Sequence, residues 1–154
     1  MGLLDEDPDR TTAQIETGRI AWAGPLTVMT SIAAVHLVRQ IVIRLPHVRR
    51  ESFALRTIAV TADTAILCTI AVAVFGLMSA FHDEPIRRFR WIAFGALLVS
   101  FLPLVAAPEL GGVATAFGVA AMHVSAYIPC VTLLPWATST PRSSRGAHAS
   151  DARV

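Results

Sequence analysis

Side chains that set a reactive or ionisable group inside an apolar stretch or at its edge in this 154-residue sequence include His36, Arg39, Asp63, Cys68, His123 and Cys130. Ionisable groups are costly in lipid, which makes His123, Asp63, His36 and Arg39 the candidate intramembrane polar sites. Asp63 would lie near the same side as His36 and Arg39, so a pairing with either is geometrically easy. The plainer alternatives are that Asp63 snorkels to an interface or caps a helix. His123 falls near the middle of the last apolar stretch. An imidazole there serves as an interhelical hydrogen-bonding group, with Ser100, Thr30, Ser31 and Tyr127 as candidate partners. The sharper readings are a proton relay and, further off, a metal or haem ligand. Depths counted from the ends of the stretches differ by several ångströms between His36 and His123, which weakens a bis-histidine haem site. The same count separates Cys68 from Cys130 and argues against a disulfide.

No other constellation carries chemistry. There is no phosphate-binding glycine loop, no His-Glu-x-x-His, no nucleophile elbow and no pair of carboxylates. Four-span multidrug exporters need a membrane-embedded glutamate in their first helix, and Ile20–Val38 contains none. The sequence therefore reads as a non-enzyme with no cofactor and no resident metal.

The elements that position these residues follow from composition. Hydrophobic residues make up 54% of the chain and charged residues 16%, with a mean hydropathy of +0.57. Soluble domains carry about 25% charged residues, so the solvent for this chain is lipid. All 13 basic residues are arginine. They sit between apolar runs rather than on one surface, as in membrane proteins and unlike nucleic-acid binders. The uncharged runs are Ile20–Val38, Thr64–Phe81, Trp91–Pro108 and Leu110–Pro141. Crossing a bilayer takes about 20 apolar residues, so each run supplies one crossing. Backbone groups in lipid must bond within their own segment, so each run is a helix. The expected fold is all-α: an integral membrane four-helix transmembrane bundle with short loops and disordered termini.

Boundaries follow from the punctuation. Helices are expected near 20–38, 57–81, 91–107 and 112–134. Arg39–Arg56 reads as a loop lying partly on the membrane surface, and Pro108–Gly112 as a hairpin that makes the last two helices antiparallel neighbours. Pro103 and Pro129 should kink their spans. A polar acidic tail, 1–19, precedes the transmembrane domain, 20–136, and a disordered tail, 137–154, follows it. The first tail lacks the apolar core of a cleavable signal peptide.

Two counts address orientation. Eight arginines fall on the side of the termini and the second loop, and five on the other, which places both termini in the cytoplasm. Trp22, Trp91 and Trp136 would share one interfacial belt, as four crossings require. In the last helix, Gly112, Ala116, Ala120, His123, Tyr127 and Cys130 form one stripe, facing into the bundle. Phe117, Val124, Ile128 and Val131 form a lipid-facing stripe. Ala114, Gly118, Ala121 and Ser125 form a small-residue stripe that lets another backbone approach closely.

The segment Arg87-Arg88-Phe89-Arg90-Trp91 to Pro103, and Ala121-Met122-His123-Val124 with Ile128-Pro129 beyond it, resemble a family of small actinobacterial four-helix integral membrane proteins of unknown function. The match covers about Thr57 to Trp136. The lysine-free composition agrees with a GC-rich source. The resemblance implies the four-helix fold and no activity. The resulting expectation is a multi-pass cell-membrane protein of non-enzymatic, accessory kind. It would work by association with a membrane protein partner or as a homo-oligomer in the lipid bilayer, without nucleic acid. The alternative is a small proton-linked transporter or channel subunit using His123 and Asp63.

Overall fold

The computed structural model describes residues 14–15, 17–46, 48, 55–106 and 112–140. Its elements are β1 (Gln14–Ile15), α1 (Thr17–Val42), α2 (Thr57–Phe81), α3 (Pro85–Ser100), α4 (Leu102–Ala106), α5 (Val113–Thr138) and β2 (Ser139–Thr140). Among the described residues the architecture is helical, apart from the connecting turns and one two-residue ladder. That ladder pairs Gln14 with Thr140 and Ile15 with Ser139, antiparallel. It brings the start of α1 and the end of α5 to the same end of the bundle, called lower here.

Three helices are long and apolar enough to cross a membrane: 18–42 within α1, α2 and α5. Between 17% and 33% of the residues in their most apolar windows are buried inside the protein, so their outward faces are themselves apolar. Hydroxyls on these helices turn back onto their own backbone. Thr27, Thr30, Thr69 and Thr132 each donate to the carbonyl four residues earlier at 2.7–2.8 Å. Satisfying a polar group locally is what an apolar surrounding demands.

Two buried clusters hold the bundle together. The upper one joins Val35 and Val42 of α1, Leu55, Val60 of α2, and Val119 and Met122 of α5, with Leu104 of α4 packed against it. The lower one joins Ala23, Phe75, Phe89, Leu134 and Ala137, flanked by Ile86 and Ala93 of α3. The α3–α4 segment thus begins in the lower cluster and ends in the upper one. It breaks at Phe101, whose N–H bonds to Leu98 O at 3.1 Å in a tightened turn. Pro103, two residues on, lacks an N–H and cannot continue a regular helix.

Helix boundaries differ from the sequence expectation at several points. α1 passes through Arg39 to Val42 instead of stopping at Val38, because Arg39 Nε donates to Leu55 O at 2.7 Å and needs no exit to water. α3 starts at Pro85 rather than after Arg90, with proline in the first turn where its missing N–H costs nothing. α5 runs to Thr138, into the segment expected to be disordered. The Pro108–Gly111 hairpin, the remainder of both tails and most of 47–54 lie outside the described residues.

Phe75 of α2 and Phe89 of α3 are fully enclosed, with ring centroids 5.0 Å apart in an edge-to-face arrangement. This is the anchor of α3. Phe89→Ala should cost about 3 kcal/mol, the low end for emptying a buried aromatic site. Thermal unfolding in detergent, compared with Phe94→Ala on the exposed face of α3, measures that difference.

Candidate functional site

α2 and α5 both descend from the upper end, so a contact between them fixes their relative stagger. Cys68 Sγ and Cys130 Sγ stand 3.6 Å apart, both thiols free and buried. Ser31 of α1 joins them, with its Oγ 3.9 Å from Cys130 Sγ and 3.2 Å from Ala126 O, to which it donates. The depth count that separated the two cysteines is therefore wrong. It assumed that all helices begin at one level, whereas α5 rises higher above the thiol pair than α2 does.

The same stagger relocates the ionisable residues. Asp63 lies five residues above Cys68, and His123 seven residues above Cys130. At roughly 1.5 Å per residue these are heights of about 8 Å and about 11 Å. The two residues lie within about 3 Å in height, less than one helical turn, and His123 is the higher, contrary to the expectation that Asp63 lies several ångströms nearer the surface. His36 comes near the same height: its Nε2 lies 2.8 Å from Thr61 Oγ1. The Thr61 hydroxyl already donates to Thr57 O at 2.8 Å, so His36 Nε2–H is the donor. Similar height does not make a bis-histidine site. His36 turns to Thr61 of α2, whereas His123 turns to its own helix.

His123 Nδ1 lies 2.9 Å from Val119 O. A carbonyl only accepts, so Nδ1 carries the proton, and in the uncharged ring Nε2 is left as an acceptor. The expected interhelical partners are engaged elsewhere: Thr30 with Leu26 O, Ser31 with Ala126 O, and Ser100 with Leu97 O at 2.6 Å. Phe101 packs edge-on to the imidazole, with centroids 6.4 Å apart. Asp63 pairs with neither His36 nor Arg39. It is exposed and has no hydrogen bond or ion pair among the described residues.

Asp63 and His123 both line a cleft of about 510 Å³ between α2, α3 and α5, whose walls also carry Thr64, Ser100 and Tyr127. Its mouth opens on the side of the bundle, where Asp63, Leu67, Ile70, Ile92 and Ala96 are exposed. The cysteine pair forms part of its wall. Below the thiols its lining is Ile70, Ala71, Val74, Phe89, Ile92 and Ala93, wholly apolar. The result is an amphipathic hole with a polar upper end and an oily lower half. His36 and Arg39 lie off this cleft, at the α1–α2 junction. No group of three or more His, Cys, Asp or Glu is placed to hold a metal ion among the described residues.

The stripes of α5 hold only in part: Gly112 of the inward stripe and Ala121 of the small-residue stripe are exposed, and the buried face runs through Thr115, Val119, Met122 and Leu134, which none of the stripes included. Phe117, Val124 and Ile128 are exposed, but Val131 is half-buried against the lower cluster. Gly118 of the small-residue stripe is buried against Val42 of α1, within the same chain. Comparison with protein-family models, curated proteins and solved structures finds no match.

Proposed function

We propose that this chain is a multi-pass cell-membrane protein with four crossings and both termini in the cytoplasm. It acts by non-catalytic association with another molecule in the bilayer. The observation that carries this reading is the side-opening cleft of about 510 Å³, a size within the range of small-molecule sites. Gly118 is occupied by the chain's own α1, so the small-residue stripe is a weaker argument for association than the cleft. The fourth crossing is α3–α4. It is supported by its course between the two clusters and by the β1–β2 ladder, since ends on one side require an even number of crossings. Trp22, Trp91 and Trp136, exposed at 51%, 69% and 75% near the lower end, fit one interfacial belt. The resemblance to the actinobacterial family belongs to the same proposal, supported by the arginine-only basic composition.

Single cysteines at positions 10, 47, 86, 110 and 145 test the topology with an impermeant label. Positions 47 and 110 should react from outside intact cells, and the others only after lysis. Positions 86 and 110 reacting on the same side would remove the fourth crossing. The reverse pattern throughout would invert the orientation.

The transporter reading has one observation in its favour: Asp63 and His123 line the same cleft at similar heights. The apolar lower half opposes it, because a proton or ion path needs polar groups or water throughout. Reconstituted proteoliposomes should show no pH-dependent flux. Flux abolished by His123→Ala would replace association with transport.

A further inference from the structure

We propose that the cleft is a binding site for a single-chain lipophilic ammonium, its N–H donors held by Asp63, His123 Nε2 and Ser100 Oγ and its apolar body in the lower half. This rests on the reading of the cleft as the place of association and names the chemistry of its occupant.

The argument is one of donors and acceptors. Ser100 spends its only hydroxyl proton on Leu97 O, leaving its oxygen to accept. His123 spends its Nδ1 proton on Val119 O, leaving Nε2 to accept when the ring is uncharged. Asp63, when ionised, offers two acceptor oxygens and no donor. Thr64 and Tyr127 add hydroxyls that have no hydrogen-bond partner among the described residues. The upper end of the cleft is therefore rich in acceptors, and in a dry site such groups are costly until a donor arrives. Thr64 and Tyr127 keep their O–H donors, but a carboxylate or phosphate would stand against the Asp63 carboxylate as like charge, and a carbonyl would leave Asp63, His123 Nε2 and Ser100 Oγ without a donor. An ammonium group brings up to three N–H donors and the charge complementary to the only acid within α1, α2 or α5. Charge-assisted hydrogen bonds are the strong ones.

Below this end, the wall from Ile70 to Ala93 offers an apolar slot. The whole cleft, at about 510 Å³, takes one hydrocarbon chain or a compact ring system with its polar group and not the two tails of a phospholipid. Entry is lateral, through the exposed gap between Leu67 and Ile70 on α2 and Ile92 and Ala96 on α3.

Radiolabelled dodecylammonium and dodecanol, bound to the full chain in phosphatidylcholine nanodiscs and corrected with empty discs, test the proposal. Dodecylammonium should bind about tenfold more tightly than dodecanol, the factor that about 1.4 kcal/mol of charge-assisted bonding supplies. Asp63→Asn should erase that preference without lowering the melting temperature, because Asp63 holds nothing within the protein. Ala96→Phe, which fills the mouth, should abolish binding of both probes. If alcohol and amine bind equally, the ammonium assignment falls and the cleft reading stands. If neither binds, or if Ala96→Phe changes nothing, both fall. If phosphatidylethanolamine in the disc displaces the amine at equal occupancy, the occupant is a two-chain lipid headgroup, and the single-chain assignment is overturned.

Discussion

Gly118→Leu should take α1 off α5 and leave a chain that fails to give a monodisperse bundle in detergent, the largest loss expected of any single substitution here. A Cβ at Gly118 would run into Val42 Cγ1, with Cγ2 and Cβ of the same residue close behind. Val42 cannot give way. It is buried in the upper cluster, and its branched side chain has one strongly preferred rotamer in a helix. Gly118→Ala alone should therefore cost about 1–3 kcal/mol, the usual cost of overpacking. Val42→Ala creates the complementary space, so the double variant Gly118→Ala, Val42→Ala should recover stability relative to additivity, by about 0.5–3 kcal/mol of coupling. Gly95 is the control, since a Cβ there meets nothing within 4 Å. Gly95→Ala should be neutral or slightly stabilising, because alanine is the better helix former. Thermal unfolding of the four variants settles the matter. Gly118→Leu melting with the parent protein would mean that α1 and α5 do not approach closely at this point.

Gly118 also shows how far the sequence could be read. Its spacing with Ala114, Ala121 and Ser125 marks a face for close backbone approach, and the structure places another helix there. The stripe could not say whose helix, because α1 and a partner's helix look alike from one side. Helix existence was legible for a similar reason: uncharged runs with no alternation leave lipid-facing backbone no alternative to helix. Boundaries were less so. Arg39 looks like the end of a span until Leu55 O appears beside it, and that carbonyl comes from a distant part of the chain. Proline gave half the information at Pro103, announcing a disturbance without saying that the helix would break into α3 and α4. The stagger of helix ends was not legible at all. Hydropathy locates each helix along its own axis, but relative height is set by packing, and nothing in the run Thr64–Phe81 says how far α5 rises above it. The inferences that compared the depths of these ionisable and thiol residues on two helices failed together: Asp63 with His123, His36 with His123, and Cys68 with Cys130.

The cysteine pair turns that failure into a second large expected effect. With the thiols 3.6 Å apart and buried, a membrane-permeant oxidant such as diamide should convert Cys68 and Cys130 into an intramolecular disulfide. Each thiol gives up one proton and one electron, and the diazene takes both pairs to become a hydrazine. The sulfurs must close from 3.6 Å to about 2.0 Å, within reach of side-chain rotation if the Cα separation suits the bond. The product should lose two hydrogens in mass, show no thiol reactive to maleimide after denaturation, and yield one peptide linking α2 to α5. Closing a loop of this length is worth up to about 4 kcal/mol by chain entropy, an upper bound because a denatured chain that keeps helical structure has less entropy to lose. The oxidised bundle should accordingly melt higher, and Cys68→Ala should abolish both the link and the gain. An impermeant oxidant should do nothing, since both sulfurs are shielded. The bond would lie in the wall of the cleft, about one to two turns below Asp63 and His123, so the contacts to the ammonium group should survive and dodecylammonium should still bind more tightly than dodecanol. Oxidation that gives only intermolecular dimers, or leaves both thiols free, would undo the stagger of α2 against α5. The single polar layer would go with it, and so would the ammonium site built on that layer.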